Sequence, residues 1–503
     1  MHPEDDNPPT STSLSVVGCK KEKLDSKNPP ELFHETRLHI PQEDEAFKSH
    51  LRTGFKWEHP ELQQPFLRQL ALMISTHAVR CGAGGITWRL SYPTAFPNNT
   101  KRNYERFWRE LTEELKLISG LDHKLNSHPL LSEAVAFACC LADDSKIFQH
   151  TACMDIGGRT TDISLWQGSR LIHQVSVPFA GQHICTKILD YRREFASDLL
   201  DKSLTSMQRS SGQTMESNRL SLIDTHIRFK SEILLKKELP NRRSPRLNER
   251  DRTLEQFISL MALATGGLYY YLGFIIRCLH KQRILSKLSC MSVYVGGNGG
   301  KLLRWLDPIC QFDEDSQINI WLSRIQSAAI NLSSDKSNAR EGTTYLSEQF
   351  KNEVAIGLVV DKPHLRGFNS LESNPFSGES LCINGYEFAA EQPIDLSKIG
   401  HDEPVTAMKL LNLKELQRYV QSMVQAMDGI KNDLQMDPLV KASDLEGSFG
   451  EKVLAHAQNL CDQHLGDPKN PRKLGDFSVE PGFCLGLRAL VEVLAKEWAE
   501  DRL

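Results

Sequence analysis

The chain of 503 residues sets 60 Lys and Arg against 64 Asp and Glu, a formal net charge of −4, with 40% hydrophobic and 25% charged residues. That is a globular composition, with room for about three domains' worth of core or two large lobes with an extension. Near-neutral charge gives no overall attraction to nucleic acid or an anionic membrane, so no specific nucleic-acid partner is expected.

The 12 cysteines are scattered, with no CxxC pair and with Cys139 and Cys140 adjacent on a predicted helix. This suits neither a disulfide framework nor a zinc ribbon. The first residues are polar and acidic where a signal peptide needs an apolar run, so cytoplasmic localisation is the expectation.

Residues 1–40 read as a disordered tail, too poor in apolar residues to pack. From Glu61 to Val79, Phe66, Leu67, Leu70, Leu72 and Met73 follow helical spacing; Ile86–Leu90 then reads as a strand, Ser91–Pro97 as its loop, and Asn103–Ile118 as a helix. Alternating apolar residues from Cys153 run into a polar tip and resume at Ile163, Leu165 and Trp166, which is a β-hairpin continuing to about residue 177.

Ser203–Arg219 is polar without period, an exposed insertion, and Thr225–Leu235 is a helix carrying Lys230. Pro240–Arg252 is a basic loop with five arginines and no aromatic residue, which weakens any stacking on single-stranded nucleic acid. Phe257–Leu279 is long enough to span a bilayer, but Ser259, Thr265 and Arg277 interrupt it; a buried core helix is expected and membrane insertion is not. Past Asp361 come strand-like pieces at Leu381–Phe388, then helices at Ala407–Asp433, Ser443–Asp462 and Cys484–Glu497, an accessory region suited to docking on the second lobe or on a protein partner.

Two segments have a use in chemistry. In Asp155-Ile-Gly-Gly-Arg-Thr-Thr-Asp162, Gly157 and Gly158 permit positive φ and a close oxyanion approach. Thr160 and Thr161 add hydroxyls, and Asp155 and Asp162 can hold a hydrated Mg²⁺ beside a phosphate. The same residue types also make an ordinary hairpin turn.

In Val293-Tyr-Val-Gly-Gly-Asn-Gly-Gly300, Val295 and Leu302 exclude a phosphate-binding loop of the Walker type, and Leu302 excludes the third glycine of a dinucleotide fold. Backbone approach to a nucleoside, or a plain strand-to-helix turn, remains. There is no Gly-x-Ser-x-Gly elbow, and the 17 histidines form no His-Glu-x-x-His pattern.

The first segment resembles the second phosphate motif of the superfamily of actin, sugar kinases and DnaK-type chaperones, and the second resembles its adenosine motif. Just upstream of the first segment, and in the family's order, His128–Ala138 resembles the connecting helix, with Glu133 on the acidic position. Lys351–Leu358 resembles the second connecting helix, where Ala355 and Gly357 would permit close packing. Two departures stand out. Before Ile86 no Asp-x-Gly-Thr first phosphate hairpin is found, and Arg159 replaces the third glycine.

The resemblance implies an α/β, two-lobed actin-like ATPase fold with an incomplete first lobe (41–150), a second lobe (151–362) and a mainly helical C-terminal extension (363–503). It implies ATP and Mg²⁺ as cofactors. Gly157, Gly158, Arg159, Thr160 and Thr161 would take phosphate; Lys230, Gly296, Gly297, Asn298 and Gly299 would take the nucleoside; Asp155 and Asp162 would organise the metal. Glu133 and Asp155 would be catalytic, Glu133 by orienting or deprotonating water. Glu133 opening a helix is also explained by capping and the helix dipole, and Lys230 by an ordinary surface position. The function implied is a chaperone-like or actin-like ATP-binding protein coupling nucleotide state to lobe closure and partner binding. The alternative is a degenerate scaffold, or a truncated fragment of a larger ATPase.

Overall fold

The computed structural model describes residues 60–141, 147–192, 194–195, 249–308, 312–331, 342–348, 352–360, 365, 374–400, 403–434, 436–466, 471–474 and 477–503. The predicted tail, the insertion at 203–219 and the helix carrying Lys230 lie outside them. Contacts divide the chain into two compact units, whose described parts are essentially 60–90 with 98–131, and all the rest.

The smaller unit comprises α1 (Pro60–Arg80), β1 (Gly85–Tyr92), α2 (Asn98–Ser119) and β2 (Asp122–Ser132), with β1 and β2 forming a two-stranded sheet. Alternation in β1 turns Trp88 and Leu90 inward, where they meet Phe107, Trp108, Leu111 and Leu115 from one face of α2 and Ala71 from α1. Trp88 Nε1 donates to His123 Nδ1 at 3.1 Å, so this ring nitrogen is the acceptor and the imidazole is neutral. His128–Ser132, expected to open a helix, instead end β2.

The larger unit is a mixed α/β structure. Its elements run α3 (Glu133–Leu141), β3 (His150–Ile156), β4 (Thr161–Gln167), β5 (Arg170–Val177), a π-helical turn (Gln182–Thr186), α4 (Lys187–Tyr191), α5 (Glu249–Lys281), β6 (Ser292–Gly296), a 3₁₀ turn (Asn298–Leu302), α6 (Leu303–Leu306), α7 (Gln317–Ile330), β7 (Thr344–Leu346) and α8 (Glu353–Val359). Then follow β8 (Leu381–Ile383), β9 (Tyr386–Phe388), β10 (Met408–Leu410), α9 (Lys414–Ala426), α10 (Lys431–Leu434), α11 (Ser448–Leu465) and α12 (Gly482–Ala499).

The main sheet has the order β5-β4-β3-β6-β7. The first three strands are antiparallel, and β6 and β7 add in parallel. β4 is covered on both faces, which is why Ile163 and Leu165 alternate with polar residues that are equally buried. The helix α5 is the one described helix long and apolar enough to cross a membrane, and its apolar stretch is wholly buried within the unit. It begins at Glu249, so Arg250 and Arg252 are helical and not part of a basic loop. Likewise the helix expected from Ala407 is preceded by β10, which pairs with β8 from Met408 to Leu410.

Candidate functional site

Strand register assembles the site. Asp155 lies opposite Asp162 across the β3–β4 hairpin, Asp162 lies opposite Ser176 of β5, and Asp155 lies beside Gly296 of β6. Directly paired residues point to one face, so Asp155, Asp162 and Ser176 form a row, with Cys153, Ser164 and Gln174 as the next row on that face.

This second row pins α3. Ser132 Oγ donates to Gln174 Oε1 at 2.6 Å and accepts from Val135 N–H at 3.2 Å, the N-cap geometry, while Ser164 Oγ donates to Ala134 O at 3.1 Å. Glu133, the buried first residue of α3, is thereby held over the face that carries Asp155 and Asp162.

At the tip, Gly157 N–H donates to Thr160 O at 2.9 Å. Neither Gly157 nor Gly158 takes the positive φ expected of it. The turn closes with ordinary dihedrals because a neighbouring segment holds its carbonyls: Gly181 N–H donates to Gly157 O at 3.1 Å, and Gln182 N–H to Gly158 O at 2.7 Å. The N–H groups of Gly158 and Thr160 enter no hydrogen bond with another backbone group among the described residues. They are donors of the kind that receive an oxyanion.

The two threonines differ. Thr161 is fully buried and its hydroxyl donates to Phe179 O at 2.6 Å, so it braces the hairpin and its proton is not available to a ligand. Thr160 is half-buried, with Oγ1 at 3.5 Å from Asp162 Oδ2. Arg159 is half-buried. It adds to the depression of the His183 pKa, which burial causes first and the cations Lys187 and Arg488 reinforce.

The glycine loop packs on this tip backbone to backbone. Gly297 sits at φ 73°, and a Cβ there would stand 2.1 Å from Asp155 Oδ1 and 2.5 Å from Ile156 O. At Gly299 a Cβ would stand 2.7 Å from Gly157 O, and at Gly296 it would stand 2.5 Å from the Phe137 ring and 3.0 Å from Glu353 Oε1. Packing of one motif on the other therefore accounts for these glycines without a nucleoside nearby. Asn298, half-buried, opens the 3₁₀ turn that follows.

The two predicted connecting helices cross at Gly357, where a Cβ would fall 1.6 Å from Ala136 O. Ala355, expected to share that contact, is exposed.

The sequence reading assigns Glu133, Asp155, Gly157, Gly158, Arg159, Thr160, Asp162 and Gly296–Gly299 to one site, and the structure brings these positions into one neighbourhood. It missed Gly181 and Gln182, whose only local signal is a glycine shortly after β5, and Glu353 at Gly296. Among the described residues no group of three or more His, Cys, Asp or Glu is placed to hold a metal. A cavity of about 620 Å³ elsewhere, between α5 and the start of α11, is lined by Ser259, Asp437, Phe449 and Arg502 and contains none of the predicted site residues.

No protein family matches the sequence, and no curated protein does. Among solved structures the chain is similar to MreB5 of Spiroplasma citri bound to ADP, at 14% identity and a TM-score of 0.27, over 59% of this chain and 73% of that one. A likeness at that level decides neither fold nor function.

Proposed function

We propose that this chain binds ATP with Mg²⁺ at the corner formed by the 157–160 tip and the 296–300 loop, as an actin-like ATPase. The observation that carries the proposal is the convergence itself. Two motifs far apart in the chain are registered side by side as Asp155 beside Gly296, with the N–H groups of Gly158 and Thr160 turned to no backbone partner among the described residues.

The donor set fits the cation. Asp155 and Asp162 face one another across the hairpin, and two carboxylates with a hydroxyl suit a Mg²⁺ that keeps most of its ligands as water and phosphate oxygens. Bound there, the ion would neutralise charge developing on the transferred phosphoryl group. The tip N–H groups would receive phosphate oxygens, and Glu133 would hold the attacking water and accept its proton.

A second reading, a scaffold that retained the fold without hydrolysis, is favoured by two observations. Thr161 gives its hydroxyl proton to Phe179 O, and Arg159 stands where the superfamily's motif has glycine.

Titration of the full chain with a fluorescent ATP analogue and Mg²⁺ tests the proposal, and absence of binding overturns it. Arg159→Gly separates the readings. A guanidinium pairing with phosphate contributes about 1.5–3 kcal/mol, so its loss weakens ATP selectively over ADP. If Arg159 instead blocks the tip, affinity rises. Glu133→Gln is expected to remove most turnover and leave binding nearly intact, whereas Asp155→Ala weakens Mg²⁺-dependent binding.

A further inference from the structure

The carbonyls of Gly157 and Gly158 rest on the N–H groups of Gly181 and Gln182, and the hydroxyl of Thr161 rests on Phe179 O. The segment 179–187 is thus the mould for the tip. Its other side faces the C-terminal helices. Phe179 stacks on the His183 ring at 5.4 Å, and His183 Nδ1 accepts the Ala180 N–H at 3.4 Å. One turn on, Lys187 Nζ reaches Glu492 Oε1 of α12 at 3.3 Å.

Glu492 is the hub of a closed network. His456 Nε2 of α11 lies 2.8 Å from its Oε2, and Arg488 Nε donates to its Oε1 at 3.2 Å; Arg488 Nη1 also reaches Glu480 Oε2 at 3.4 Å. The side chains of Phe179, His183, Lys187, Ile188, Tyr191, Arg488 and Glu492 leave no room for a water molecule between them. Beyond them Arg192 Nη1 donates to Trp498 O at 2.9 Å and lies over the Trp498 ring.

We infer that Glu492 is a positioning residue for the nucleotide site. Through Lys187 it fixes the segment 179–187, so that the C-terminal helices are part of the machinery that shapes the phosphate tip and respond to its occupancy. Glu492 is the buried partner, its side chain 11% exposed against 32% for Lys187; a mostly buried carboxylate is costly to leave short of a partner, and packed elements transmit small displacements. A shift of the tip carbonyls on phosphate binding is therefore carried to α12. By linkage the effect is reciprocal: whatever binds α11 and α12 alters nucleotide affinity by the same factor.

This inference rests on the nucleotide reading above, and hydrogen exchange distinguishes their failures. In the full chain a non-hydrolysable ATP analogue with Mg²⁺ is expected to slow exchange both at 155–162 and across 482–499. Lys187→Met is expected to abolish the second effect, keep the first at saturation, and weaken the analogue at least about five-fold, the low end of ordinary couplings between sites. Lys187→Arg keeps the ion pair and restores both, which a purely structural contact spoiled by any substitution would not do. Protection at 155–162 with none at 482–499 in the wild type overturns the inference and leaves the nucleotide reading intact. Protection at neither place, with no binding, overturns both.

Discussion

Where residues 155–160 meet 296–300, backbones approach until a single added carbon at Gly297 would stand 2.1 Å from a carboxylate oxygen. Around Arg277 on α5 the interior is instead filled by charge. The guanidinium donates to Glu415 Oε2 at 3.0 Å and to Ala329 O at 2.9 Å, and the Tyr270 hydroxyl donates to the same Glu415 oxygen at 3.0 Å. Arg418 closes the set from the rim. The first region excludes side chains and is sensitive to addition. The second is built from side chains and is sensitive to deletion. A substitution scan should therefore give opposite patterns in the two.

The largest expected effect is at the charged interior. Glu415→Ala leaves Arg277, with its side chain only 4% exposed, without its buried counter-charge, the half-exposed Glu391 remaining only at 3.9 Å from Nε, and breaking one side of a buried pair costs about 3–5 kcal/mol. Replacing both partners with Arg277→Met and Glu415→Leu should cost clearly less than the two single changes together. Urea midpoints of the four proteins give the cycle, and additive losses would show that the pair is not coupled.

Next comes Gly357→Ala. Its Cβ would coincide with the backbone carbonyl of Ala136, so neither rotamer change nor a flexible neighbour can relieve it. Overpacking typically costs 1–3 kcal/mol, and a backbone clash should reach about 3 kcal/mol by the same measurement. A loss under about 1 kcal/mol would mean that α3 and α8 slide apart cheaply.

The two regions also differ in how far the sequence announces them. Contiguous residues carry the constraints of the glycine corner, so 155–162 and 296–300 could be read as a tip and a loop, and the family resemblance assigned both to one lobe; their pairing in one sheet is seen only in the structure. The charged interior has no such trace, because Arg277 and Glu415 are 138 residues apart and Lys187 and Glu492 are 305 apart. Arg277 shows only as a charge inside an apolar stretch, and Glu415, Lys187 and Glu492 each look like solvated surface charges, so nothing local names the partners. Three-residue β10 is too short to leave a period, so a helical pattern from α9 swallowed it. The positive φ assigned to Gly157 and Gly158 failed because the Gly181 and Gln182 donors that settle the turn belong to another segment.

Between these extremes lies Glu379, buried, with Oε1 accepting from Leu416 N–H at 2.7 Å at the start of α9. Burial raises its pKa from 4.5 to about 8, against the pull of that backbone donor. The folded protein therefore keeps a proton that the unfolded chain loses. This contribution to stability is complete below pH 4.5 and is lost as pH rises through about 8. One such group gives a slope of at most about 1.4 kcal/mol per pH unit. Glu480, pushed up to about 7 by burial despite Arg488, acts in the same direction. Glu492 acts in the other: burial alone would raise it, but His456, Lys187 and Arg488 hold it at about 2, so its contribution is lost as pH falls from 4.5 towards 2. Glu379→Gln should flatten the decline in urea midpoint between pH 5 and 8, and parallel curves for wild type and variant would contradict the assignment.

The smallest effect sharpens the comparison most. Ala355 and Gly357 sit two residues apart on α8 and looked equivalent as small residues permitting a close crossing. Only Gly357 faces Ala136, while Ala355 is exposed. Ala355→Lys exchanges one good helix former for another on a solvated face and should change stability by less than about 0.5 kcal/mol. If it costs as much as Gly357→Ala, then something covers that face of α8, and the tolerance of the helix is set by that cover and not by its crossing with α3. If it is neutral while Gly357→Ala is severe, smallness matters only where backbone meets backbone, the rule that Gly297 and Gly299 obey at the tip.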